Sequence, residues 1–121
     1  MPDPKANSHI TREAYFATRA LLPDGPMRLE TLSTELGVSP RTLQRRLSEE
    51  GHSFSELIRE VQEEVARRLL LDPSLSVQEV SARVGFATPA SFSRAFHAWT
   101  GQSPRDYRRQ AALARQQSFE M

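Results

Sequence analysis

Leu29, Leu32, Ser33, Leu36, Gly37 and Val38 recur as Val77, Val80, Ser81, Val84, Gly85 and Phe86 at a constant offset of 48, and Leu43, Arg45 and Leu47 recur as Phe92, Arg94 and Phe96 at an offset of 49. A block that repeats at this period is one supersecondary unit made twice, here with one residue gained between its halves. In the second copy Val77, Val80 and Val84 lie three and four apart, the spacing of one helical face. Ser76 opens that helix as an N-cap, with Glu79 as the returning half of a capping box. Gly85 stands where the helix must stop and can take the left-handed conformation of a sharp turn. Thr88-Pro89 restarts the chain, with threonine as cap and proline at the first helical position. The second helix turns Phe92, Phe96 and Trp99 inward and leaves Pro89, Ala90, Ser93, Arg94 and His97 outside. Two short helices around a glycine turn, one of them apolar on one side only, describe a helix-turn-helix. A single such corner also suits helical hairpins that bind nothing; a tandem pair is far more restrictive.

The rest of the chain frames these two units. Residues 1–9 hold two prolines and little that is apolar, and are expected to be a disordered leader. Ala14, Tyr15, Ala17, Thr18, Leu21 and Leu22 keep a helical spacing that Pro23-Asp24-Gly25-Pro26 ends, so a first helix is expected to lie as a lid on the next unit. In the first repeat Leu43 and Leu47 face inward and Arg41, Thr42, Gln44, Arg45 and Ser48 outward, after the restart Ser39-Pro40. Ser53 and Glu56 form a second capping box that opens a helix from Phe54 to about Leu71, apolar through Leu57, Ile58, Val61, Val65 and Leu69. That helix is roughly 27 Å long. Reading helices on one face of B-DNA sit about 34 Å apart, so a rod of this length suits a connector as well as a core helix. Ser103-Pro104 starts a last helix with Tyr107 returning to the core and Arg105, Arg108 and Arg109 outside; residues 111–121 are helical in composition without a clear face and are expected to fray.

Charge and composition narrow the function. The net charge is only +1, but 15 of the 16 basic residues are arginine, the side chain whose planar fork matches phosphates and guanine edges. Six arginines stand against one acid between Arg83 and Arg115, and six acids against Arg59 alone between Glu49 and Glu64. A basic working surface is the expected result. The absence of cysteine excludes disulfides, thiolate nucleophiles and cysteine-ligated zinc. With no apolar run near ~18 residues and no signal-peptide pattern, a soluble cytoplasmic chain is expected. His9, His52 and His97 have no metal-ligand spacing, and no nucleophile elbow, phosphate loop or paired-carboxylate motif is present, so neither an enzyme nor a cofactor is expected.

Direct recognition has candidates in both copies. Arg41 and Arg45 project from one face near a helix start and can each grip guanine O6 and N7, while Gln44 suits adenine N6 and N7; Arg94 is the strong reader of the second unit. The helix starts at Ser39, Thr88 and Ser103, the last with Arg105 beside it, offer backbone N–H groups and a positive dipole end to phosphates. Arg46 points between the faces and fits either a DNA contact or a salt bridge to Glu50.

The tandem pattern, and above all Gly85, Phe86, Phe92, Phe96, Gly101, Ser103, Pro104, Tyr107 and Arg108, resembles the DNA-binding domain of the AraC/XylS family of bacterial transcription regulators over about residues 10–110. The resemblance implies an all-α fold of seven helices, with helix-turn-helix subdomains at 10–52 and 73–110 joined by a connecting helix at 53–72, and a tail at 111–121. It implies base-reading positions at Arg41, Thr42, Gln44 and Arg45 in the first head and at Pro89, Ala90, Ser93 and Arg94 in the second. Pro89 and Ala90 stand where relatives often carry polar side chains, and His97 where lysine or arginine is common. Those departures point to thymine-methyl contacts in the second head and put a phosphate contact at residue 97 in doubt. The implied partner is a double-stranded DNA operator. A small-molecule effector would act through a domain outside this chain, which reads either as a fragment of a larger regulator or as a stand-alone member. Activation is the family's habit. The acidic stretch from Glu49 to Glu64 supports another role, a helical module touching a protein such as RNA polymerase.

Overall fold

The computed structural model describes residues 9–119. They form seven α-helices, α1 (His9–Leu21), α2 (Leu29–Leu36), α3 (Pro40–Glu49), α4 (Phe54–Leu70), α5 (Val77–Arg83), α6 (Pro89–Thr100) and α7 (Pro104–Phe119), with a 3-10 turn at Leu22–Asp24 and no strand among the described residues. Of the expected leader only His9 is described, and it opens α1; residues 1–8 and 120–121 lie outside the described part, while α7 continues unbroken through the first nine residues of the expected tail.

The helix starts follow the capping chemistry. Ser39, Ser53, Ser76, Thr88 and Ser103 each accept the backbone N–H three residues on, at 3.1, 3.2, 3.0, 3.1 and 3.0 Å. Glu79 does come back to Ser76, but to its hydroxyl, which donates to the carboxylate at 3.2 Å, instead of to the backbone N–H expected of a capping box. Gly37 closes α2 at φ 72°. Gly85 is more tightly constrained, because at φ 92° an added Cβ would lie 3.2 Å from the Gly25 carbonyl oxygen and 3.3 Å from that of Leu22.

Two apolar clusters result. The first joins Ile10 and Ala14 of α1 to Leu32, Leu43, Leu47 and Leu57. The second joins Leu22 to Val61, Val65, Ala66 and Leu70 of α4, Leu75, and Val80, Val84, Phe92 and Phe96 of the second repeat. Helix α4 therefore contributes to both cores and is connector and core helix together. So does the α1 segment: Ile10 and Ala14 sit in the first cluster, Leu22 in the second, and Tyr15 touches both. Helix α1 does cover the first unit, as expected of a lid, and it is also a second strut that packs along α4.

Arg108 departs from its expected outward position. Its Nε donates to the Leu70 carbonyl at 2.8 Å and its Nη2 to the Asp72 carbonyl at 3.3 Å. The cause is the end of α4, where carbonyls without intrahelical partners carry the negative end of the helix dipole and attract a guanidinium. Tyr107 does return toward the core, edge-on to Phe96 at 5.3 Å, with the Arg67 guanidinium 5.6 Å from its ring centre.

Candidate nucleic-acid interface

Leu43 and Leu47 are fully buried on the inner side of α3, and Phe92 and Phe96 on that of α6. Burying those positions turns the intervening ones out. Arg41, Gln44 and Arg45 are exposed and Thr42 is half-buried; Pro89, Ala90 and Arg94 are exposed and Ser93 is half-buried. His97 is exposed as well. Every proposed base-reading residue thus lies on α3 or α6 with at least part of its side chain in solvent.

Local contacts decide how free each one is. Arg45 pairs with Glu49 at 3.8 Å, both side chains about two-thirds exposed at 65% and 66%. An exposed helical pair of this kind contributes about 0.3–0.5 kcal/mol, less than the ~1–3 kcal/mol of a bidentate base contact, so Glu49 does not hold Arg45 back. Thr42 is less free, because its Oγ1 accepts the Ser39 hydroxyl at 2.9 Å. Arg46 does not pair with Glu50 as one of its alternatives had it; Glu50 accepts the Thr11 N–H at 3.0 Å and the Thr11 hydroxyl.

The helix starts offer less than the sequence suggests. Ser39 and Thr88 are exposed and Ser103 is half-buried, with Arg105 exposed beside it. Pro40, Pro89 and Pro104 have no N–H, and the cap takes that of Thr42, Ser91 and Asp106. One first-turn donor remains without a partner among the described hydrogen bonds at each start, the N–H of Arg41, Ala90 and Arg105. The Ser39 and Thr88 hydroxyl protons are engaged too, with Thr42 and Ser91.

Ser81 is a positioning residue that the sequence marks only as the repeat of Ser33. Buried in α5, it donates to the Thr88 carbonyl at 3.2 Å and so holds the N-cap of α6. Its counterpart Ser33 is equally buried but bonds within its own helix, to Glu30 at 3.0 Å. A small polar residue kept at an inner position in both repeats was the available signal. Among the described residues no cluster of acidic or histidine side chains could hold a metal ion, and no helix is long and apolar enough to cross a membrane.

Two helix-turn-helix units on a shared frame define a tandem helix-turn-helix protein. Residues 32–110 match the family model described as a helix-turn-helix domain, and the chain belongs to that AraC-type family of transcription regulators. It is 40% identical over 100 residues to an uncharacterized HTH-type transcriptional regulator of Mycobacterium tuberculosis, covering 83% of this chain and 28% of that one. Among solved structures it resembles the C-terminal domain of AraT, a response regulator from Geobacillus stearothermophilus, at 36% identity and a TM-score of 0.73, covering 84% of each chain. It also resembles the DNA-binding domain of the global transcriptional factor AdpA, in complex with a target DNA, at 30% identity and a TM-score of 0.74 over 88% of this chain and 96% of that one. The chain spans 28–30% of the length of the first curated relatives it matches.

Proposed function

We propose that this chain binds double-stranded DNA sequence-specifically, as the DNA-binding part of a bacterial transcription regulator. Helices α3 and α6 enter successive major-groove segments of one asymmetric site. Arg41, Gln44 and Arg45 read bases in one half with Thr42 beside them, and Arg94 reads in the other with Ser93, Pro89 and Ala90. The Arg41, Ala90 and Arg105 N–H groups at the helix starts capped by Ser39, Thr88 and Ser103 dock phosphates, and the exposed Arg105 guanidinium neutralises one. The observation that carries this reading is the duplication: two helices, each proline-started, each buried on one side and exposed on the other, on a frame common to both. Operation in the cytoplasm, activation in preference to repression, control by a small-molecule effector bound elsewhere in a larger protein, and contact with RNA polymerase through the acidic stretch from Glu49 to Glu64 belong to the same reading.

Selection from a random duplex pool, followed by mobility shifts with competitor salt, tests it. A recovered two-part motif is the expected result. Retention of no duplex, together with capture of a protein partner through the acidic stretch, would instead support the helical interaction module.

A further inference from the structure

The first head meets the frame through a smaller fully buried cluster than the second. Ile10, Ala14 and Leu57 tie Leu32, Leu43 and Leu47 to α1 and α4, with Tyr15, Ala17 and Phe54 packed beside them, whereas the second head shares a larger cluster with Leu22 and with Val61, Val65, Ala66 and Leu70. Polar fastenings add to the placement of α3. One spans 39 positions: Glu50, the residue that ends α3, accepts both the backbone N–H and the hydroxyl of Thr11 in the first turn of α1. The carboxylate satisfies an orphan donor and sits at the positive end of α1. At the end of α3 the same charge is unfavourable to the dipole of that helix, so the contact across the fold is what favours an acid here. The far end of this segment is anchored in the second head, through fully buried Leu22 and through the close approach of the Leu22 and Gly25 carbonyls to Gly85. Arg19 fastens the middle to Glu64 of α4 at 3.8 Å.

We propose that Glu50 is a positioning residue for DNA reading, which locks α3 to α1 and thereby sets the spacing and phase at which the two reading helices meet the duplex. The inference rests on the DNA-binding reading above. Glu50 need not touch DNA: a shift of one base pair between half-sites moves the second target about 3.4 Å along the axis and about a tenth of a turn around it, and a head that pivots on α1 accommodates such a shift.

The test is selection from duplexes whose two half-sites, first identified with the parent protein, are separated by the parental gap or by one base pair more or less. The parent selects one spacing. Glu50→Ala loses about tenfold of its discrimination between neighbouring spacings, the scale of a lost charge-assisted hydrogen bond, and keeps its base preferences within each half. Glu50→Gln, which retains an acceptor oxygen, restores most of the discrimination. A folded Glu50→Ala protein with the parental spacing preference overturns the proposal, and so does uniform weakening at every spacing. If circular dichroism finds Glu50→Ala unfolded, Thr11→Val, which removes the hydroxyl and keeps the N–H, takes its place with an intermediate loss expected and an unchanged preference overturning. Failure of the parent to select any half-site would refute the DNA-binding reading itself, an outcome distinct from an unchanged spacing profile.

Discussion

At the level of single side chains, the arginines differ in what they do. Arg45 is held only by a weak exposed pair with Glu49 and stays available to the base contact proposed for it, while Arg108 spends its donors on the Leu70 and Asp72 carbonyls. Arg45→Ala should lose about 1–3 kcal/mol of discrimination at one base pair of the first half-site, and Arg94→Ala the same in the second; selection on either variant that returned the parental motif would contradict the assignment. Arg105→Ala should weaken binding to all sequences alike and flatten the salt dependence by about one unit of slope. Asp72 has a different signature. The Ser74 hydroxyl and backbone N–H hold its carboxylate below the ordinary value of 3.8. A depressed folded-state value stabilises the fold above the unfolded one and is lost as pH falls through it. The effect of Asp72→Ala on the melting temperature should therefore be constant near neutral pH and shrink only below about pH 3.8, read by thermal melts across the acid range.

At the scale of elements, the reading helices are only as well placed as their starts and turns. Ser39→Ala removes the cap of α3 and should cost about 1 kcal/mol, together with affinity for the first half-site, both measurable by denaturant melts and mobility shifts. Gly85→Ala forces a side chain into left-handed backbone against two carbonyl oxygens, and should cost about 1–3 kcal/mol in chemical denaturation. Phe96, fully buried, with Phe92 tilted against it and Trp99 and Tyr107 edge-on, anchors α6; Phe96→Ala should cost about 3–5 kcal/mol. The helices and their caps were legible because each depends on residues within about four positions. The two repeats differ where the extra residue enters the turn: there Ser81 bonds across to Thr88 while Ser33 bonds within α2, a difference that two serines at matching positions do not express.

For the molecule as a whole, the two heads behave as one body because two struts, α1 and α4, enter both cores. A rigid pair gains no freedom to search for mismatched half-sites, so binding should be cooperative within a single site and specific for one spacing. Phosphate docking on a basic surface should make the observed affinity fall with salt at about 0.9 log units per log unit for each phosphate neutralised; a flat titration would count against DNA as the ligand. Of this frame the α4 strut was legible in advance, as connector and core helix at once, and the α1 strut was not. Leu22 reads as the last apolar residue of an ordinary helix, yet it is sealed inside the other head.

The amino-acid order alone determined where helices start and stop, which side of each is buried, and which arginines are left on the outer faces of α3 and α6, since capping and helical period act over a few residues. Only the tertiary structure decided that α1 braces both heads, that Glu50 holds α1 and that Arg108 closes the end of α4. Those links join residues 38 and 39 positions apart through long charged side chains, and such side chains have no periodicity to betray whether they face water, a ligand or an unpaired end of another helix.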